Sequence, residues 1–149
     1  MKQLLRPVVG ALLVLAVCLT PARSEARTDF RLTLGADYLI DNGAFFDLMG
    51  AVDFAFVGPL SVGARFGALL TTQPNSLGIP LDFDLRITPR NTPIYVEALV
   101  GPWILFSGDT LRAHAAFGFG FQGSSASVGL EIGYLEPSPH VGLRVGWRF

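Results

Sequence analysis

From residue 30 onward, apolar and non-apolar positions alternate with a period of two, the mark of strands with two unlike faces. The alternation predicts eight strands, at 30–40, 44–57, 60–71, 79–88, 94–106, 111–122, 125–135 and 140–149. Turn-forming clusters separate them: Asp41-Asn42-Gly43, Gly58-Pro59, Gln73-Pro74-Asn75-Ser76, Pro89 to Pro93, Ser107-Gly108-Asp109, Gly123-Ser124 and Glu136-Pro137-Ser138-Pro139. Most of these runs exceed the ~5–6 residues usual for soluble strands and reach the ~9–11 of a tilted strand that crosses a bilayer.

Sorted by parity, one face is hydrophobic in every run except at Gly50 and Pro102. The other holds small residues and nearly all strand charges: Arg31, Asp37, Asp47, Asp53, Arg65, Asp82, Asp84, Arg86, Glu97, Arg112, Glu131, Arg144 and Arg148. Alternation alone does not say which face is buried. A closed eight-stranded barrel has an interior just wide enough for side chains. The bulky apolar face would overfill it, whereas small residues mixed with paired charges fit. The predicted fold is therefore all-β: an eight-stranded antiparallel up-and-down transmembrane barrel, apolar outside and ionic within.

The aromatic residues agree with this orientation. With odd strands running up and even strands down, Phe30, Phe54, Phe56, Phe119, Phe121, Trp147 and Phe149 fall at the lower rim. Tyr38, Phe46, Phe106 and Tyr134 fall at the upper rim. Two such girdles are what bilayer interfaces select for.

Composition narrows the picture further. Half the residues are hydrophobic, 15% are charged, and the net charge is −1. There is no basic run, so the electrostatic footprint of a nucleic-acid binder is missing. Lys2 is the only lysine, so every cation in the strands is an arginine, the residue suited to bidentate pairing with carboxylates. A single cysteine, Cys18, rules out a disulfide framework, and no phosphate loop, dinucleotide motif or spaced metal-ligand cluster is present. No cofactor is expected. Lys2 and Arg6, the apolar run Val8 to Leu19 and the small residues that follow have the layout of an export signal over 1–26. Cleavage after Ala22 or Ala26 is expected, with the barrel occupying 27–149.

The last strand, Val141-Gly-Leu-Arg-Val-Gly-Trp-Arg-Phe149, ends on an aromatic residue with apolar positions at every second step back from it. Here the chain resembles the bacterial outer-membrane β-barrel proteins, and its architecture is similar to that of the small OmpA-like and OmpX-like barrels. The resemblance implies an outer-membrane location, contact with membrane lipid, and recognition of the strand ending in Phe149 by the barrel-insertion machinery. The upper connections are short, unlike the long extracellular loops common in that family, which argues against an adhesin or receptor role.

Inside the lumen, Glu131 is expected to pair with Arg144, Arg86 and Asp84 to lie near Glu97, and Asp53 to reach Arg65. Tyr95, Leu99 and Trp103 should pack against Gly118 and Gly120, large against small. Pro80 is placed near the start of the fourth strand. Pro102, in mid-strand, predicts a bulge or local break, because a closed barrel offers it no free edge. The expected role is structural or interaction-based, with a closed lumen and no catalysis. Three alternatives stay open: a soluble periplasmic lipocalin-like carrier, a narrow pore, and an outer-membrane hydrolase. The hydrolase reading rests on Asp82, Asp84 and His114, similar to the acidic and His-Asp groups of the omptin proteases but without a second Asp-His pair. It also rests on Ser138, His140 and Glu136 near an upper turn, the residue types of lipid A deacylases.

Overall fold

The structure, a computed structural model, describes residues 28–40, 43–73, 75–107 and 110–149. The expected export signal and Cys18 lie outside them. Eight strands run β1 (Thr28–Leu39), β2 (Gly43–Val57), β3 (Leu60–Thr72), β4 (Asn75–Ile87), β5 (Ile94–Leu105), β6 (Leu111–Gln122), β7 (Ala126–Leu135) and β8 (Ser138–Arg148). Each pairs antiparallel with its neighbours in sequence, and β1 pairs with β8, closing the barrel. Closure pairs every strand on both sides, which removes the exposed edge of an open sheet.

Three strands start two or more residues earlier than the alternation reading, β1 at Thr28 instead of 30 among them. β4 begins at Asn75, not 79, because Thr72 pairs directly with Asn75. β8 begins at Ser138, not 140, because Leu135 pairs with Ser138 and the turn is Glu136-Pro137 alone. Pro139 is thus the second residue of a strand, where a missing N–H costs little.

Pro80 correspondingly moves to the interior of β4. Both mid-strand prolines sit at gaps in the ladder. Pairing of β3 with β4 lapses between Phe66↔Leu81 and Leu69↔Gly78, around Pro80. Pairing of β4 with β5 lapses between Phe83↔Val100 and Pro80↔Trp103, around Pro102. The register is the same on either side of each gap, so Pro102 produces a local break and no bulge. A Cβ on Gly101 would strike the carbonyl of Leu81, so glycine permits the close approach of the two backbones there. The register shift lies elsewhere, between Ala55 and Val57 on β2.

The burial pattern is inverted relative to a water-soluble protein. Leu143 and Val145 are 57% and 42% exposed, while Arg144 between them is 3% exposed. All eleven residues of the expected aromatic girdles lie on the outer surface. Phe66, Phe83 and Phe117 also face outward, between the rims, so phenylalanine is not confined to the girdles. The outward tyrosines and tryptophan (Tyr38, Tyr134 and Trp147) do sit near strand ends, as polar-tipped aromatics should. Among the described residues the exposed charges are Arg90 and Glu136, both in connections. A soluble carrier with its apolar face lining a cavity is incompatible with this arrangement.

Candidate functional site: the ion-filled lumen

Alternation aims every second side chain of each strand at the axis, and the barrel brings together residues far apart in sequence. Near the lower mouth, which carries both ends of the barrel, Arg31 is the hub. Its Nε donates to Asp53 Oδ2 at 2.6 Å, its Nη2 to Asp53 Oδ1 at 3.2 Å and to Asp84, and its Nη1 to Glu97 at 3.4 Å. Arg86 donates to Glu97 at 2.9 Å and to Gln122 at 2.9 Å, and its guanidinium lies 3.7 Å from the centre of the Tyr95 ring. Tyr95 pairs with Gly120 across the strands, and Glu97 with Gly118; a Cβ on either glycine would meet the large partner.

Higher up, Arg65 links Asp82 at 3.1 Å to Glu131 at 3.2 Å. Arg144 grips Glu131 with two parallel bonds, at 3.1 and 2.8 Å, and also donates to Asp37. The two-pronged contact is the geometry for which arginine is preferred over lysine. Asp47 lies 3.4 Å from Arg144 Nη2.

Above these charges sits a small apolar plug of Leu39, Phe45, Leu69, Trp103, Leu105 and Leu135. Phe45 meets Trp103 edge-on with ring centres 5.4 Å apart. Open depressions of about 120 Å³ and 190 Å³ lie at the upper and lower mouths.

Eleven of the thirteen charges that the sequence places on the lumen face meet in this network, and two do not. Arg112 is half-exposed at the upper mouth and has no ion pair among the described residues. Arg148 donates to the backbone carbonyls of Gly123 and Ser124, at 3.2 and 3.0 Å, holding the β6–β7 turn rather than a carboxylate. Both lie near strand ends, at the mouths of the lumen. The expected pairs are also refined. Glu131 and Arg144 bond diagonally, because Glu131 stands opposite Gly142 and Arg144 opposite Gly129. Asp53 goes to Arg31 instead of Arg65, because β1 pairs with β2 and carries Arg31 opposite Ala51, two residues from Asp53.

The sequence reading did not bring the two histidines together. His114 Nδ1 contacts Asp82 Oδ1 at 2.7 Å, and His140 Nδ1 contacts Asp37 Oδ1 at 2.8 Å. The second Asp-His pair, expected to be missing, is therefore present. The Nε2 atoms of the two rings face each other at 3.3 Å. Ser138 and His140 both point inward and are buried, so they form no catalytic set at the membrane surface with Glu136, which is exposed. The signal that could have found the pair is parity: His114 and His140 share the face of Arg112 and Arg144 in their strands.

No family model and no curated protein matches the sequence. Solved structures do. The barrel is similar to a de novo designed transmembrane β-barrel, with a TM-score of 0.66 and 13% identity over 81% of this chain and 95% of that one. It is also similar to the N-terminal β-barrel domain of Pseudomonas aeruginosa OprF, with a TM-score of 0.55 and 13% identity over 84% of this chain and 100% of that one. A second designed barrel, TMB2.3, aligns with a TM-score of 0.54 and 16% identity over 85% of this chain and 96% of that one. The chain is a small transmembrane β-barrel. Identities this low speak to the fold alone, and what the barrel does rests on its own lumen. In this transmembrane barrel the buried centre consists of seven carboxylates, four guanidiniums and two imidazoles, roofed by aromatic rings.

Proposed function

We propose that the chain is an integral protein of the Gram-negative outer membrane, exported by its N-terminal signal, with a closed lumen and a structural or interaction role in the envelope. One observation carries this reading: charges and bulky apolar residues have exchanged the places they hold in soluble proteins, across all eight strands. In hydrocarbon every backbone polar group must be paired within the protein, and a closed barrel meets that condition. Long apolar strands with aromatic rims suit insertion by the barrel machinery, and the β8 strand running to Phe149 is the segment proposed to be recognised.

Closure of the lumen is supported by the burial of Arg65, Glu131 and Asp84 at mid-height and by the plug above them. The same burial argues against catalysis. His114 and His140 are fully enclosed, and a peptide or lipid would have to displace Phe45 and Trp103 to touch them.

The test is fractionation followed by reconstitution. The protein should sediment with outer membranes and migrate faster on gels before heating than after. In planar bilayers it should give no reproducible single-channel step. A steady unitary conductance would replace the closed lumen with a pore, and recovery in the soluble periplasmic fraction would remove the membrane assignment.

A further inference from the structure

We propose that the upper lumen holds one divalent transition-metal ion of the zinc class, ligated by His114 Nε2, His140 Nε2 and a carboxylate oxygen of Glu131.

The argument begins with protons. Ionised carboxylates only accept hydrogen bonds. Asp82 lies 2.7 Å from His114 Nδ1 and Asp37 2.8 Å from His140 Nδ1, so each Nδ1 carries the hydrogen and donates it. In a neutral ring each Nε2 is then left with its lone pair. Yet the two Nε2 atoms point at each other across 3.3 Å. Two lone pairs at that distance repel unless something positive sits beside both. For zinc–nitrogen bonds of about 2.0–2.1 Å at a tetrahedral angle, the nitrogen–nitrogen edge is about 3.3–3.4 Å. The spacing in the lumen matches that edge.

The third ligand is at hand. Glu131 Oε1 is 3.9 Å from His114 Nε2, and the donor atoms of His114, Glu131 and His140 all lie within 4.8 Å of one another. Glu131 would move toward the two rings to bring its oxygen to a normal ligand spacing. Imidazole and carboxylate together suit zinc and its neighbours better than calcium or magnesium.

The surroundings have the supporting parts such sites use. A metal-bound histidine usually donates its other ring N–H to a carboxylate, which fixes the tautomer and ring orientation. Asp82 and Asp37 do this for the two rings, and Trp103 Nε1 donates to the same Asp82 oxygen at 3.0 Å. Arg65 and Arg144 orient Glu131. Trp103 lies over His114 with ring centres 4.2 Å apart, and Phe45 covers His140 at 5.3 Å. Charge points the same way. In this layer Asp37, Asp47, Asp82 and Glu131 face only Arg65 and Arg144, an excess of two negative charges with neutral imidazoles. Among the described residues neither carboxylate oxygen of Asp47 accepts a hydrogen bond. One divalent ion would balance the layer. The enclosure makes the ion a structural brace between β6, β7 and β8.

The experiment uses the full chain extracted from membranes in detergent, stripped with chelator and dialysed against Zn²⁺ or Co²⁺ alone. Elemental analysis should find one Zn²⁺ per folded barrel, and Co²⁺ should develop the visible absorption of a low-coordinate nitrogen–oxygen site. His114→Gln and His140→Gln should each abolish stoichiometric binding, and Asp37→Asn should weaken it by about 10–100-fold. Heat-modifiable migration checks that each variant folds. Should the histidine variants fail that check, paramagnetic resonance of Cu²⁺ bound to the unmodified barrel decides instead, with coupling to two imidazole nitrogens expected. A folded, unmodified barrel that takes up no stoichiometric metal overturns the site and leaves a histidine pair sharing a proton. Binding that survives both histidine substitutions, or Cu²⁺ without imidazole coupling, overturns it as well.

Discussion

Arg65→Met should destabilise the folded barrel by about 3–5 kcal/mol, the cost of stranding buried charges when one partner of an ion cluster is removed. Arg65 is the fitting target because it sits at mid-height, is almost fully buried, and holds carboxylates from two other strands, Asp82 on β4 and Glu131 on β7. Methionine keeps much of its volume, so the loss is electrostatic rather than a cavity. Adding Asp82→Asn should recover part of the loss, since one of the stranded carboxylates is then neutral. Urea unfolding in lipid vesicles gives both values. A cost below about 1 kcal/mol, as for solvent-exposed pairs, would mean that water fills the lumen.

How much of this was legible in the sequence follows from what alternation encodes. Period two fixes which residues share a face, so the placement of Arg144 inward and of Leu143 and Val145 outward could be read directly from β8. Neighbouring strands are joined by short turns, so Arg86 opposite Glu97 was also within reach. Contacts across the closing seam and across the lumen were not. Arg144 reaches Asp37 and Arg31 reaches Glu97 over sequence separations of 107 and 66 residues, and those encounters depend on closure and on how far each strand is staggered against the next. Tight turns caused the other errors. Two prolines flanking Ser138 suggest a longer loop than the two-residue turn that forms. That misreading moved His140 from the lumen to the surface and hid its pairing with Asp37.

The second large effect concerns the outer wall. Phe117 lies near the middle of β6, facing outward between Ala98 and Ile132, whereas Phe121 lies near the lower end of the same strand, between Ile94 and Val128. Phe117→Arg should cost about 2–4 kcal/mol in a bilayer, and Phe121→Arg about 0–1 kcal/mol, because the penalty for a lipid-facing charge falls from the midplane to the interface. The two substitutions are chemically identical and share a strand, so their difference reads depth alone. Folding titrations into vesicles measure it. Equal costs at the two positions would be the mark of a wall that does not lie in hydrocarbon.

The orientation of the wall is tested most directly by fluorophores attached to single introduced cysteines, in a chain whose own Cys18 is replaced by serine. Labels would be placed at Leu143, Val145, Met49 and Leu99, and the chain folded into vesicles whose lipid tails carry a nitroxide quencher. Strong quenching at Leu143 and Val145, with little at the inward-facing Met49 and Leu99, is the result predicted here. Quenching at Met49 and Leu99 but not at Leu143 and Val145 would contradict it.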